Sequence, residues 1–178
     1  MKIFLPALLM GFLLLGSSLP GKAAPPSNLQ VGFYLLHDVC HEESQVHLIT
    51  MVKTTPGDLT DYVNHISRTA DQTLAVIERL EKDDPSLRLD NNPLPPFEQE
   101  VRGSIRADKQ HQLLFGVSGP SFTRALLLTQ IEATNYILHI AKVLAGEDTD
   151  ADRAHTLRKI SGRWLTLRDR GVVLLNQN

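Results

Sequence analysis

The sequence predicts an all-α protein built as a helical bundle. Apolar residues recur at the three- and four-residue spacing of a helix in five segments, and no segment alternates convincingly as a strand would. Breaks rich in Gly, Pro and Asp separate these segments. The chain that follows residue 23 has about 155 residues, which is the size of a single domain.

The first 23 residues have the features of a secretory signal peptide. Met1-Lys2 supplies a basic start, Ile3 to Leu15 is almost wholly apolar, and "GSSLPGKAAPP" follows. Cleavage after Ala23 is preferred to cleavage after Ala24, since it leaves small residues at both recognition positions. The apolar run falls short of the roughly 20 residues of a membrane span, so an uncleaved anchor is the less favoured alternative. We expect a signal peptide over 1–23, a helical-bundle domain over 24–178, and a periplasmic or secreted location.

The charge and the cysteine content of the mature chain limit the classes of partner and the covalent links that can be expected. Without Lys2 and Lys22, sixteen basic residues stand against twenty acidic ones, a formal charge of −4. This balance gives no reason to expect nucleic acid or an anionic membrane as a partner. After signal cleavage no apolar stretch is long enough for membrane insertion. Cys40 is the only cysteine, so no internal disulfide can form, and we expect a buried, inert thiol.

The first two helices are predicted from about Leu29 to Val52 and from "TTPGDLTDY" to about Lys82. Asp58 suits the start of the second helix, because acids interact favourably with a helix N-terminus. An apolar stripe follows along it, formed by Leu59, Tyr62, Val63, Ile66, Ala70, Leu74, Ile77 and Leu80. The connection "DDPSLRLDNNPLPP" comes next, and its prolines and Asn-Asn pair break both helix and sheet.

Three more helices are predicted, over about Phe97–Phe115, Phe122–Ala145 and Ala151–Leu175. The fourth is apolar on two opposite sides, so it must lie centrally or meet a second partner. If the fifth helix leaves the second side open, we expect a homodimer or another protein partner to cover it. One long crossover between the second and third helices is how ferritin-like bundles are connected. The predicted fold is therefore a four-helix bundle with ferritin-like wiring and an additional C-terminal helix.

Two stretches resemble an uncharacterised family of secreted bacterial ferritin-like proteins. They are "EESQVHLITMVKTTPGDLTDYVNHISRTADQTLAVIERLEKDDPSL" and "FTRALLLTQIEATNYILHIAKVLAGEDTDADRAHTLRKISGRWLTLRDRGVVLL". Tyr62-Val63 matches the family's aromatic-plus-small pair, and Phe122 with Arg124 and Ala125 matches an aromatic followed by Arg-Ala. The resemblance covers roughly two thirds of the mature chain and implies a fold and an export route more than an activity.

The chain departs from this family at two positions. Where the family carries an acid-histidine pair in the long helix of each hairpin, Ala70 and Thr134 stand in place of the histidines. The resemblance therefore does not carry metal binding over to this chain.

The candidate metal ligands are Glu43, His47, Asp108 and His111. Glu43 and His47 lie one turn apart on the apolar side of the first helix, where unpaired charges are costly. Asp108 and His111 have the i, i+3 carboxylate-histidine spacing that bundle metal sites use, and Glu132 can add an oxygen. Such a mixed nitrogen and oxygen set suits iron, zinc or manganese.

A purely structural interpretation of these residues is favoured over the metal site. Diiron bundles use two Glu-x-x-His motifs, and this sequence has none. Glu43 and His47 then form a hydrogen-bonded pair inside the bundle or on its rim. His37 and His41 are also one turn apart but point elsewhere, so we expect them on the surface, as a pair that binds divalent metals only adventitiously.

The sequence therefore predicts an exported, non-catalytic binding or accessory protein without a cofactor. It contains no Gly-x-Ser-x-Gly elbow, phosphate loop, dinucleotide fingerprint or haem attachment motif. The first alternative is a ferritin-like metal-binding protein that uses carboxylate and histidine ligands inside the bundle. The second is a metal-free enzyme in which Glu43 is buried and has a raised pKa.

Overall fold

A computed structural model describes residues 25–177. Their regular secondary structure consists of helices alone, as predicted. The predicted signal peptide lies outside the described residues. The helices are α1 Asn28–Ser44, α2 Ile49–Val52, α3 Gly57–Asp83, α4 Pro96–His111, α5 Gly119–Glu147 and α6 Ala151–Gln177. Single 3₁₀ turns cover Val46–Leu48 and Pro85–Leu87, and a π-helical turn covers Gln112–Gly116. Within residues 25–177, no helix is long and apolar enough to cross a membrane.

The helix ends follow from local chemistry. At the start of α1, the Ser27 hydroxyl accepts the Gln30 N–H at 3.2 Å and the Gln30 side chain accepts the Ser27 N–H at 2.9 Å, a reciprocal capping box. Helix α5 starts at Gly119 rather than Phe122. Gly119 has a left-handed φ of 55°, which favours glycine, and Pro120 fits the first turn because that turn needs no N–H donor.

The first predicted helix is interrupted after Ser44. The Gln45 N–H bonds back three residues to the Glu42 carbonyl at 3.1 Å, which starts the 3₁₀ turn. Ser67 of α3 stabilises this break, since its hydroxyl accepts the His47 N–H at 3.1 Å and donates to the Glu43 carbonyl at 3.2 Å. The continuous helix expected over Leu29–Val52 is thus divided into α1 and α2.

The hydrophobic core lies between α1, α3, α5 and α6. Helix α1 packs against α3 and α5, and α6 packs against α3 and along the length of α5. The largest fully buried side chains are those of Trp164, Tyr62, Phe33 and Phe122. The Trp164 indole N–H donates to the Thr73 hydroxyl at 3.2 Å, which satisfies the one polar group of that ring.

The helix that lies outside the core is α4, whereas the sequence predicted the C-terminal helix in this position. Among residues 25–177, α4 contributes no buried side chain, while α6 buries seven residues, among them Trp164. The reason is composition: α4 has few apolar residues, and two of them, Phe97 and Ile105, remain exposed.

Helix α6 also bears on the expected protein partner. Leu127 and Leu138, on the second apolar side of α5, are buried within the chain, and α6 packs along α5. Helix α6 therefore covers the second apolar side of α5 within one molecule, so this side does not call for a homodimer. A protein partner stays a prediction.

Candidate functional site

A groove of about 1150 Å³ lies between α4 and the α1 and α5 helices. We call it the α4 groove. Its apolar walls include Val39, Val46 and Ile49 on the α1–α2 side and Val101, Ile105 and Leu114 on the α4 side. Its floor is formed by its buried lining residues, which are Glu43, Leu113 and Gln130. Most of the surface that lines the groove is apolar, although many of its lining residues carry polar or charged groups. Apolar surface with polar groups placed along it is typical of sites for small ligands.

Ion pairs hold α4 across the rim of this groove. Arg106 pairs with Asp38, at 3.4 Å, and with Glu42, both on α1. Lys109 pairs with Glu132 of α5 at 3.1 Å. These pairs are about half exposed, and such pairs contribute little individually, so α4 is attached less firmly than the core helices.

Arg102 makes the remaining polar bridge from α4 to α5. Its guanidinium donates to the Tyr136 hydroxyl at 2.6 Å and lies 5.6 Å from the centre of the Tyr136 ring. It also pairs with Glu98, one turn earlier on α4, at 2.9 Å. Tyr136 is 37% exposed and lines the groove.

Glu43 is a buried acid, with 8% of its surface exposed. Burial is the main cause that raises the pKa of Glu43, to about 8 against an ordinary 4.5, and the neighbouring Glu42 raises it further. The Gln130 amide and the Lys109 ammonium act in the opposite direction. Glu43 therefore carries a proton at neutral pH. Its inward position agrees with the sequence prediction.

Two oxygens on the groove floor have no hydrogen-bond partner among residues 25–177. They are Oε2 of Glu43 and Oε1 of Gln130, and both side chains line the α4 groove. A buried polar group without a partner costs about 1–3 kcal/mol, so such groups mark places where a further molecule can bind. The Tyr62 hydroxyl is a third such buried group, but it packs against Gly171 of α6 and is not among the residues that line the groove.

His47 does not pair with Glu43 as the sequence suggested. Its Nδ1 lies 3.1 Å from the Ser44 carbonyl and 3.2 Å from the Ser67 hydroxyl. The 3₁₀ turn after Ser44 accounts for this, because it rotates His47 away from the helical position one turn beyond Glu43.

Asp108 and His111 are exposed, unlike the buried Glu43. Helix α4 presents Arg102, Ile105 and Lys109 to the groove instead. The structure thus does not bring the four candidate ligands together. Across residues 25–177, no three His, Cys, Asp or Glu side chains gather in a way that can hold a metal ion.

Cys40, His37 and His41 are the remaining residues that the sequence singled out. Cys40 is fully buried, and burial raises the pKa of its thiol far above the ordinary value, which agrees with the predicted inert thiol. His41 is exposed and His37 is half-buried, so the expected surface pair is correct for His41 and only partly so for His37.

Sequence reasoning missed Gln130, Arg102 and Arg106. Gln130 interrupts the apolar spacing of α5, four residues after Leu126 and seven before Ile137, and this polar position on a buried stripe is a usable signal. The two arginines gave no such signal, since their roles depend on where α4 lies.

Comparison with known proteins identifies no relative of this chain. No protein-family model, curated protein or solved structure matches the chain. The resemblance to secreted ferritin-like proteins therefore stays a prediction.

Proposed function

We propose that the protein is an exported, non-catalytic binding protein that holds a small amphipathic molecule in the α4 groove. The observation that carries the proposal is the floor of the groove, where two buried oxygens without partners lie beneath aliphatic walls. Apolar walls supply affinity through burial, and a few polar atoms supply orientation. The support for export is the predicted signal peptide over residues 1–23.

The proposed architecture is a four-helix bundle of α1, α3, α5 and α6 with ferritin-like wiring. Its support is the ring of helix contacts from α1 to α3, α6, α5 and back to α1. The long connection from α3 to α5 then joins helices on opposite sides of the ring, as one long crossover does in such bundles. Helix α4 forms part of this connection and covers the groove.

Binding of an uncharged apolar fluorophore tests the proposed function. N-phenyl-1-naphthylamine brightens in an apolar site, and we expect saturable binding to the protein. Ile105→Asp places a charge in the groove wall, and because Ile105 is 50% exposed the fold should survive. We expect this variant to bind at least about tenfold more weakly, which corresponds to about 1.4 kcal/mol.

Phe97→Asp is the matched control. Phe97 lies on the same helix and is 76% exposed, but it is not among the groove residues. It should therefore bind the fluorophore like the unchanged protein. Absence of saturable binding, or equal weakening by both variants, would contradict the proposal.

A further inference from the structure

The geometry points to an amphipathic primary amine as the ligand, with its ammonium group on Glu43 and Gln130 and its apolar body between α4 and α1. This inference rests on the proposed function of the α4 groove. Both floor atoms without partners are oxygens, Oε2 of Glu43 and Oε1 of Gln130. The Gln130 carbonyl oxygen only accepts hydrogen bonds. An ammonium group has three N–H donors, so it can satisfy both oxygens at once.

The rim of the groove argues against an anionic head group. All three Lys and Arg side chains among its described lining residues, Arg102, Arg106 and Lys109, already pair with carboxylates. A fatty-acid carboxylate would have to break one of these pairs. Besides the protonated Glu43, four acids among the described lining residues face three Lys or Arg side chains, and a groove with excess acid attracts cations.

Because Glu43 is protonated in the free protein, the affinity for an amine should rise with pH. Glu43 is protonated in the free protein near neutral pH, so it must release its proton to solvent when the ammonium enters. The groups around it are Cys40 and Glu42 on α1, Tyr62 on α3, Lys109 on α4 and Gln130 on α5. Of these, Glu42 and Lys109 act in opposite directions, since Glu42 raises the pKa of Glu43 and Lys109 lowers it. His41 and His139 also line the groove, so the contribution of Glu43 is the part of the pH dependence that Glu43→Gln removes.

A series of three ligands with one chain length separates the head groups. Decylamine, decanol and decanoate each displace N-phenyl-1-naphthylamine in competition titrations at about pH 6.5 and about pH 8.5. With a pKa of about 8 for Glu43, the ionised fraction rises on the order of twentyfold over this range. We expect decylamine to bind most tightly and to gain affinity by a comparable factor. Decanol should show no such gain, and decanoate should weaken.

Variants of the floor residues complete the test. Glu43→Gln keeps the shape of the side chain and removes its charge, so decylamine should lose its pH-dependent gain and its preference over decanol. Gln130→Met removes the second acceptor at similar volume and should weaken decylamine more than decanol. Glu100→Gln, at an exposed position of α4 outside the groove lining, is the control and should retain the preference for decylamine.

The outcomes separate this inference from the proposed function. Equal binding of the three ligands, unaffected by Glu43→Gln, would overturn the amine and leave a non-selective groove. Tightest binding of decanol or decanoate would likewise overturn the amine and identify another head group. Failure of the fluorophore and of all three ligands to bind would contradict the proposed function itself.

Discussion

Replacement of Glu43 by glutamine should change how the stability of the protein depends on pH. The folded protein holds the Glu43 proton up to a pKa of about 8, whereas an ordinary glutamate releases it near 4.5. Because the pKa is raised by folding, the unfolded chain loses the proton first. The free energy of unfolding then falls as pH rises through this interval.

The size of this effect follows from the two pKa values. Each pKa unit corresponds to about 1.4 kcal/mol, so the interval from 4.5 to about 8 gives a ceiling of roughly 5 kcal/mol. At pH 7 the loss is roughly 3 kcal/mol. A domain of this size is stable by about 5–15 kcal/mol, so the loss is a large share of the total.

Urea unfolding followed by circular dichroism measures this effect at about pH 5, 7 and 8.5. Relative to the unchanged protein, Glu43→Gln should gain stability as pH rises, by about 3 kcal/mol or more between the first and last points. The exposed Glu132→Gln variant should follow the unchanged protein. Parallel pH profiles for Glu43→Gln and the unchanged protein would refute the reasoning, because Glu43 would then not be a buried acid that titrates near pH 8.

Three further substitutions test the packing of the core and the attachment of α4. Gly171→Ala should destabilise by about 1–3 kcal/mol, because the added methyl group meets the Tyr62 hydroxyl; thermal unfolding measures this. Trp164→Ala empties the largest fully buried site and should cost about 3–5 kcal/mol in urea unfolding. Arg106→Ala removes both ion pairs to α1 and should speed hydrogen exchange in α4 while the global melting temperature changes little.

Each of these substitutions has a matched comparison. Gly162, on the same helix as Gly171, has nothing within 4 Å of an added methyl group, so Gly162→Ala should not destabilise. Leu165→Ala, beside Trp164 but 40% exposed, should cost much less than Trp164→Ala. For Arg106→Ala, faster exchange throughout α1 and α5, or none in α4, would show that α4 is not a separately attached helix.

The positions of the helices were largely predictable from the sequence. Apolar residues at helical spacing, together with Pro and Gly at the breaks, located α3, α5 and α6 to within a few residues of their ends. The interruption after Ser44 was not predictable in this way. It depends on hydrogen bonds to Ser67, which is remote in sequence and becomes adjacent only when α1 packs on α3.

The candidate site was predictable in part. Glu43 was placed inward because it shares a helix face with Leu36 and Cys40, and both of these residues are buried. The orientation of α4 was not predictable, since its apolar residues are few and spread around the helix. Asp108 and His111 share one stripe of the predicted third helix with Phe97 and Phe115, and the structure exposes all four. The ion pairs of Arg106 and its neighbours hold another side of α4 towards the core.

The most direct test of the binding groove is a nuclear magnetic resonance titration of the isotope-labelled protein with N-phenyl-1-naphthylamine. The account predicts saturable shifts at the Ile49 and Ile105 methyl groups and at the Gln130 side-chain amide, which line the α4 groove. Val76 and Thr166, on the α3–α6 side, should stay unchanged. Shifts confined to the α3–α6 side, or scattered over the surface without saturation, would contradict the claim that α4 covers a ligand-binding site.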